Sequence, residues 1–263
     1  MRPPSIDHPL LAAGSFLDLD ARGFVDVALA NDDCAGIGLR VTGDLAGRIS
    51  PGLARDVAAR LAAGGRMVHD VEVIRLGAAD ESNLGSVADT VAIAGDLGAR
   101  FVLAVSDLPD LASSIDGFGR LRAIAHDRGV EIAVEYMAWT QPSTPSDAIR
   151  VHESTGCPIV VDLLHHTRVG ASADDLIRLG SAIGWVQICD AAPEIPNGEH
   201  ELVREARHGR LVPGDGVLPI GEYLAALPHD VAVSIEVQSD ELLRLGAADR
   251  ARRLIAATRV FAS

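Results

Sequence analysis

The stretch Pro158-Ile-Val-Val-Asp162-Leu-Leu-His165 joins a short apolar run to an acid and, three residues later, to a histidine. A run that is apolar at every position belongs to a strand covered on both faces, and parallel sheets are covered in that way. The same design recurs around it. Upstream, Glu131-Ile-Ala-Val-Glu135 closes on a carboxylate; downstream, Trp185-Val-Gln187-Ile-Cys-Asp190 and Val231-Ala-Val-Ser-Ile-Glu236-Val carry an amide and a carboxylate late in their runs. Further outward, the runs Leu10 to Gly14, Gly36 to Val41, Met67 to Leu76 and Phe101 to Val105 bring the total to eight.

Each run precedes a segment of helical period, at 20–30, 52–63, 83–97, 111–127, 145–154, 173–179, 220–227 and 240–258. Gly64, Gly98, Gly129, Gly156 and Gly180 stand just past expected helix ends, where a left-handed cap is favoured. Eight strand-helix units in one chain of 263 residues predict an α/β fold, a single (β/α)8 TIM barrel spanning 1–263. A doubly wound sheet is the competing arrangement, but no GxGxxG follows the first strand. The polar connection 190–219, broken by Pro193, Pro196, Gly198, Pro213, Gly214 and Gly216, exceeds ordinary loop length. On a barrel it would lie over the C-terminal mouth, so a lid loop is expected there.

Composition narrows the chemistry. All 23 basic residues are arginine and none is lysine, which excludes Schiff-base aldolases, pyridoxal-phosphate enzymes and P-loops. A net charge of -14 argues against nucleic acid or an anionic membrane as partner. Cys34, Cys157 and Cys189 lack metal-ligand spacing and are expected to fill core positions in a reduced compartment. The apolar stretch Pro9 to Leu17 is too short for a signal peptide, and no run reaches the ~20 residues of a membrane span. A cytoplasmic protein without a membrane partner is expected.

In a TIM barrel the informative residues are polar ones at strand C-termini. Glu135, Asp162, Gln187 and Glu236 occupy four successive strand ends, inside runs where an unpaired polar group costs several kcal/mol. Three carboxylates in one mouth repel one another unless a cation neutralises them. The plainer account pairs them with Arg40, Arg75 or Arg168; four such residues in a row favour one divalent metal. An all-oxygen shell selects Mg2+ or Mn2+ over Zn2+.

Together with His165, these residues resemble the metal-site pattern of the xylose-isomerase-like TIM barrels, the sugar phosphate isomerase/epimerase family. Its members include ketose 3-epimerases, hydroxypyruvate isomerase, inosose dehydratase and 3-dehydroshikimate dehydratase. The resemblance is strong from Glu131 to Val237, and Arg210-Leu-Val-Pro-Gly-Asp-Gly216 looks like the family's Arg-Xaa-Xaa-Pro-Gly-Xaa-Gly stretch. Many relatives carry His where Gln187 stands, and hydroxypyruvate isomerase-like members carry Gln. The resemblance implies that Glu135, Asp162, Gln187 and Glu236 bind the metal, that His165 and Arg210 hold a small polyhydroxylated substrate, and that the protein is a homo-oligomer. Arg168 is an added candidate for clamping an anionic substrate group, with a surface ion pair as its alternative. The implied activity is a metal-dependent isomerase or epimerase of a sugar or related 2-hydroxy-carbonyl compound. It runs through a metal-stabilised enediolate, with Glu135 and Glu236 as acid and base. The alternative is a lyase, a dehydratase acting on a cyclic keto-polyol through the same intermediate.

Overall fold

The computed structural model describes residues 5–41, 49–77 and 84–262. Its strands are β1 (Leu10–Leu11), β2 (Gly36–Arg40), β3 (Met67–Leu76), β4 (Phe101–Ser106), β5 (Glu131–Glu135), β6 (Ile159–Asp162), β7 (Ile183–Ile188) and β8 (Ala232–Ile235). All pair in parallel and in chain order, and β1 also pairs with β8 to close the barrel. The expected (β/α)8 architecture is therefore the observed one. Helices α1 (Ala21–Leu29), α2 (Pro51–Ala63), α3 (Leu84–Leu97), α4 (Leu111–His126) and α5 (Pro145–Thr155) follow the first five strands. After them come α6 (Leu163–Arg168), α7 (Ala173–Leu179), α8 (Glu199–His208), α9 (Ile220–Ala226) and α10 (Ala247–Thr258).

Two apolar layers follow from strands that are buried on both faces. The larger lies between the strands and the helices; the smaller fills the barrel with Phe101, Leu103, Val105, Ala133, Val160 and Trp185. Trp185 is fully buried, with Phe101 tilted against it at 4.9 Å and His69 edge-on at 5.3 Å. This plug closes the lower barrel and leaves the upper ends of the strands to polar side chains. No helix among the described residues is long and apolar enough to cross a membrane. The three cysteines are buried and free, as expected of core residues.

Three departures from the sequence expectations bear on the site. The first strand is only Leu10–Leu11; the chain then turns through a 3-10 segment, Ala13–Phe16, at the barrel rim. A helix unforeseen in the sequence, α6, starts directly at the end of β6, because the Asp162 carboxylate caps it by accepting from the backbone N–H groups of Leu164 (2.8 Å) and His165 (3.1 Å). The connection 190–219 is no structureless loop, since it contains α8. The carboxylate of Asp190 ties it down by accepting from the backbone N–H groups of Ala191, Gly214, Gly216 and Leu218 at 2.9 to 3.0 Å. Gly216 is required there: a Cβ would lie 2.5 Å from the Asp190 carboxylate and 2.3 Å from the Ala191 carbonyl oxygen.

Candidate active site

Strand register brings the polar ends level with one another. Asp162 of β6 stands beside Gln187 of β7, Gln187 beside Ser234 of β8, and Glu236 continues just past β8. Glu135 ends β5. All four polar residues are at most 6% exposed. Glu135, Gln187 and Glu236 line a cavity of about 390 Å³ in the barrel mouth, together with His165 and Arg210. Ligand atoms of Glu135, Asp162 and His165 lie within 4.8 Å of one another.

Arg210 is the cation of this cluster. Its Nη1 donates to Asp162 Oδ2 and lies 3.8 Å from Glu236 Oε2, while its Nε donates to the Ala206 carbonyl at 2.7 Å. Its backbone is also held, because the N–H donates to the Gln238 carbonyl at 3.1 Å and the next residue pairs with Asp190. His165 Nε2 lies 3.5 Å from Arg210 Nη2 and 3.9 Å from Glu135 Oε1, and Trp139 stands edge-on to its ring at 5.1 Å.

The charges are in tension. Burial, then the charges of Asp162 and Glu236, hold the Glu135 carboxyl well above the usual carboxylate range. Burial lifts Glu236 to about 8, with Glu72 and Asp162 adding to it against the pull of Arg210. Burial also opposes ionisation of Asp162, but Arg210, His165 and the helix-capping bonds outweigh it and keep that carboxyl below its ordinary value. Burial lowers His165 to about 4, so its imidazole is neutral at pH 7.

The residues fit a bound divalent cation. The Gln187 Oε1 atom is buried with no hydrogen-bond partner, an expensive arrangement for an amide oxygen unless something positive meets it. Beside it stand Asp162 and two carboxyls whose ionisation a cation would restore. The donor set Glu135, Asp162, Gln187 and Glu236 is all oxygen, with the neutral His165 imidazole adjacent. The rim makes room for it: a Cβ on Gly14 would lie 2.3 Å from Glu236 Oε1.

The structure thus gathers Glu135, Asp162, His165, Gln187, Arg210 and Glu236 at one site. Arg168 it directs elsewhere. The Arg168 side chain is 5% exposed, engages Glu205 of α8 with two bonds of 2.6 and 2.8 Å and donates to the Ala192 carbonyl at 3.3 Å, so it anchors that helix and the chain leading into it. Arg40 pairs with Glu72 at 2.8 Å, and Arg75 pairs with Asp107 at the rim. The neighbouring His166 is held in the packing behind the site: it donates from Nε2 to the Ser172 carbonyl (3.0 Å), which leaves Nδ1 to accept from the Tyr136 hydroxyl (2.6 Å).

Glu72 is the residue that sequence reasoning missed. It lines the same cavity from β3, 2% exposed. Asp70 and Glu72, two buried acids at period two within β3, were the available signal, since both then face the barrel interior.

The chain covers 97% of its own length and 97% of the other in alignment with the zinc-bound IOLI protein, at 18% identity and a TM-score of 0.82. A D-allulose 3-epimerase from Methylomonas aligns over 99% of this chain and 100% of that one, with 14% identity and a TM-score of 0.68. A xylose isomerase-like TIM barrel/4-hydroxyphenylpyruvate dioxygenase fusion protein aligns over 95% of this chain at 18% identity and a TM-score of 0.78, but this chain spans only 42% of it. No curated protein matches the chain in sequence. The model of the xylose isomerase-like TIM barrels matches residues 28–259, and with barrel and mouth as described the chain belongs to that family.

Proposed function

We propose that the protein is a divalent-metal-dependent isomerase or epimerase of a sugar or related 2-hydroxy-carbonyl compound. The observation that carries this reading is the orphaned Gln187 Oε1, level with Asp162 and flanked across the mouth by the buried Glu135 and Glu236. Glu135, Asp162, Gln187 and Glu236 would hold the metal, and their oxygens favour Mn2+ or Mg2+. When bound, such an ion acidifies a C–H group next to a carbonyl by drawing electron density from the substrate oxygens.

The protein's own groups do the rest. Glu135 and Glu236 stand on β5 and past β8, so they approach a substrate from different sides. One removes the proton next to the carbonyl, and the other returns a proton to the opposite face or to the neighbouring carbon. The neutral His165 offers one donor and one acceptor to substrate oxygens, and Arg210 holds charge against the acids. Trp139 walls the cavity beside His165 and helps to exclude water.

The test is metal titration followed by NMR in D2O with a panel of ketoses, aldoses and hydroxy-carbonyl compounds. The expected result is Mn2+ or Mg2+ binding and metal-dependent deuterium incorporation at a carbon beside a carbonyl. Glu135→Gln and Glu236→Gln should each slow that exchange by about 10² or more. Failure to bind any divalent ion, or exchange unaffected by both substitutions, would refute the reading. A dehydratase acting through the same two carboxylates is told apart by its product, whose conjugated enone or aromatic ring absorbs in the ultraviolet.

A further inference from the structure

Below its rim the mouth has two walls. The wall from β5 to β8 carries the groups just assigned a role; the opposite wall, from β2 and β3, carries Arg40 and Glu72, which have none. Their strands set them level, and Arg40 Nη2 donates to Glu72 Oε2 at 2.8 Å. The second oxygen, Glu72 Oε1, is buried without a partner, although the residue borders the cavity. A carboxylate clamped at one oxygen and bare at the other lacks a donor, and the cavity is where a donor can arrive.

The charges of the mouth indicate what kind of ligand brings it. Arg40 is engaged by Glu72 through Nη2, although its buried Nε has no partner; Arg210 is engaged by Asp162, and the rim residue Arg75 by Asp107. An anionic substrate group entering the mouth below the rim meets arginines that already have carboxylate partners. Five buried acids (Asp70, Glu72, Glu135, Asp162 and Glu236) face two guanidiniums (Arg40 and Arg210), so negative charge remains even with one divalent cation bound. Arg207 also borders the cavity, but it is exposed on α8, where water screens its charge.

We propose that Glu72, pinned by Arg40, accepts a hydrogen bond from a substrate hydroxyl remote from the reacting carbons, and that the mouth thereby selects neutral polyhydroxylated compounds over their phosphate or carboxylate counterparts. This rests on the metal-dependent reading of the opposite wall. Glu72 is a specificity-determining residue here. It takes no proton from the reacting carbon, and its contribution lies in which substrate is retained.

The experiment uses the Mn2+-loaded full chain and ligand-observed NMR titration with neutral ketoses and aldoses of three to seven carbons, each beside its phosphate ester and its sugar acid. The expected result is that a neutral member binds at least tenfold more tightly than its anionic counterparts. Glu72→Gln should weaken that neutral ligand about tenfold with Mn2+ binding retained. Glu72→Asp, which keeps a carboxylate for Arg40 but withdraws it by one methylene, should weaken it as well. Circular dichroism on both variants checks that the barrel is folded. Tighter binding of an anionic member, above all one abolished by Arg207→Ala, overturns the proposal, as does neutral affinity unchanged in both Glu72 variants. Absence of Mn2+ binding in the parent chain would refute the underlying reading; Mn2+ binding with an anionic preference would refute this inference alone.

Discussion

Asp190 offers the clearest way to separate the architecture of the site from its chemistry. Its Oδ1 accepts from the buried N–H groups of Ala191 and Leu218, and its Oδ2 from those of Gly214 and Gly216, which are nearer to water. In Asp190→Asn the amide oxygen can still serve the inner pair, while its NH2 faces the two glycine donors. Those donors turn to water, and the loss of two charge-assisted bonds should cost about 1–3 kcal/mol after rehydration. Asp190→Ala also strands the inner pair, adding on the order of 1–3 kcal/mol for each buried donor. At roughly 2–4 °C per kcal/mol for a domain of this size, Tm should fall by a few degrees in the first variant and by 10 °C or more in the second. Because Leu211 pairs with the Asp190 backbone, the loosened stretch includes the anchor of Arg210. Calorimetry and hydrogen-exchange mass spectrometry of peptides over 209–218 provide the readout. Unchanged protection of those amides in Asp190→Ala, with a Tm within a degree of the parent, would show that the carboxylate does not hold this segment.

Three further outcomes are expected. Gly14→Ala puts a methyl group where Glu236 Oε1 now lies, so isothermal titration should show Mn2+ affinity at least tenfold lower while circular dichroism shows the barrel intact. Gln187→Leu removes the orphaned oxygen; it should keep or raise Tm in the metal-free protein and weaken Mn2+ binding in the same titration. The metal-free protein should lose stability as pH rises: the Glu236 carboxyl is lifted from 4.5 to about 8, so the folded state holds its proton more tightly, a contribution complete below 4.5 and lost through about 8. Over the same window metal affinity should rise, and titrations in buffers of different ionisation enthalpy should detect proton release on binding.

How much of this was legible in the sequence depended on how local each signal was. Strands such as Phe101–Ser106 and Ile159–Asp162 are read easily because both faces are buried, which leaves an unbroken apolar run. The four polar strand ends stood out against those runs for the same reason. Helix α6 was hidden because its six residues, Leu163–Arg168, are too few to show a helical period, and it is the Asp162 cap that turns them into a helix. Helix α8 carries its apolar residues, Leu202, Val203 and Ala206, on one narrow face, and the breakers Pro193, Pro196 and Gly198 just before it made the whole stretch read as loop. For Arg168 the sequence left a substrate clamp and an ion pair both open and could not choose between them; the structure makes it an ion pair, buried rather than at the surface. Its partner Glu205 lies 37 residues away in a helix the sequence did not reveal, and a pairing of that kind is decided only in three dimensions. Glu72 was overlooked because attention fell on strand ends, whereas this residue sits within the ten-residue β3.

The two-walled mouth has a consequence for how such an enzyme changes over time. The groups assigned to proton movement lie on strands formed by residues 131–236, and the Arg40–Glu72 pair lies on strands formed by residues 36–76. On the proposed reading, the acids that move protons and the carboxylate that discriminates between substrates stand on different parts of the chain, although His165 also meets the substrate from the second half. A lineage, or a protein engineer, can vary the first half to admit a new compound while the second half continues to perform the same chemistry on it.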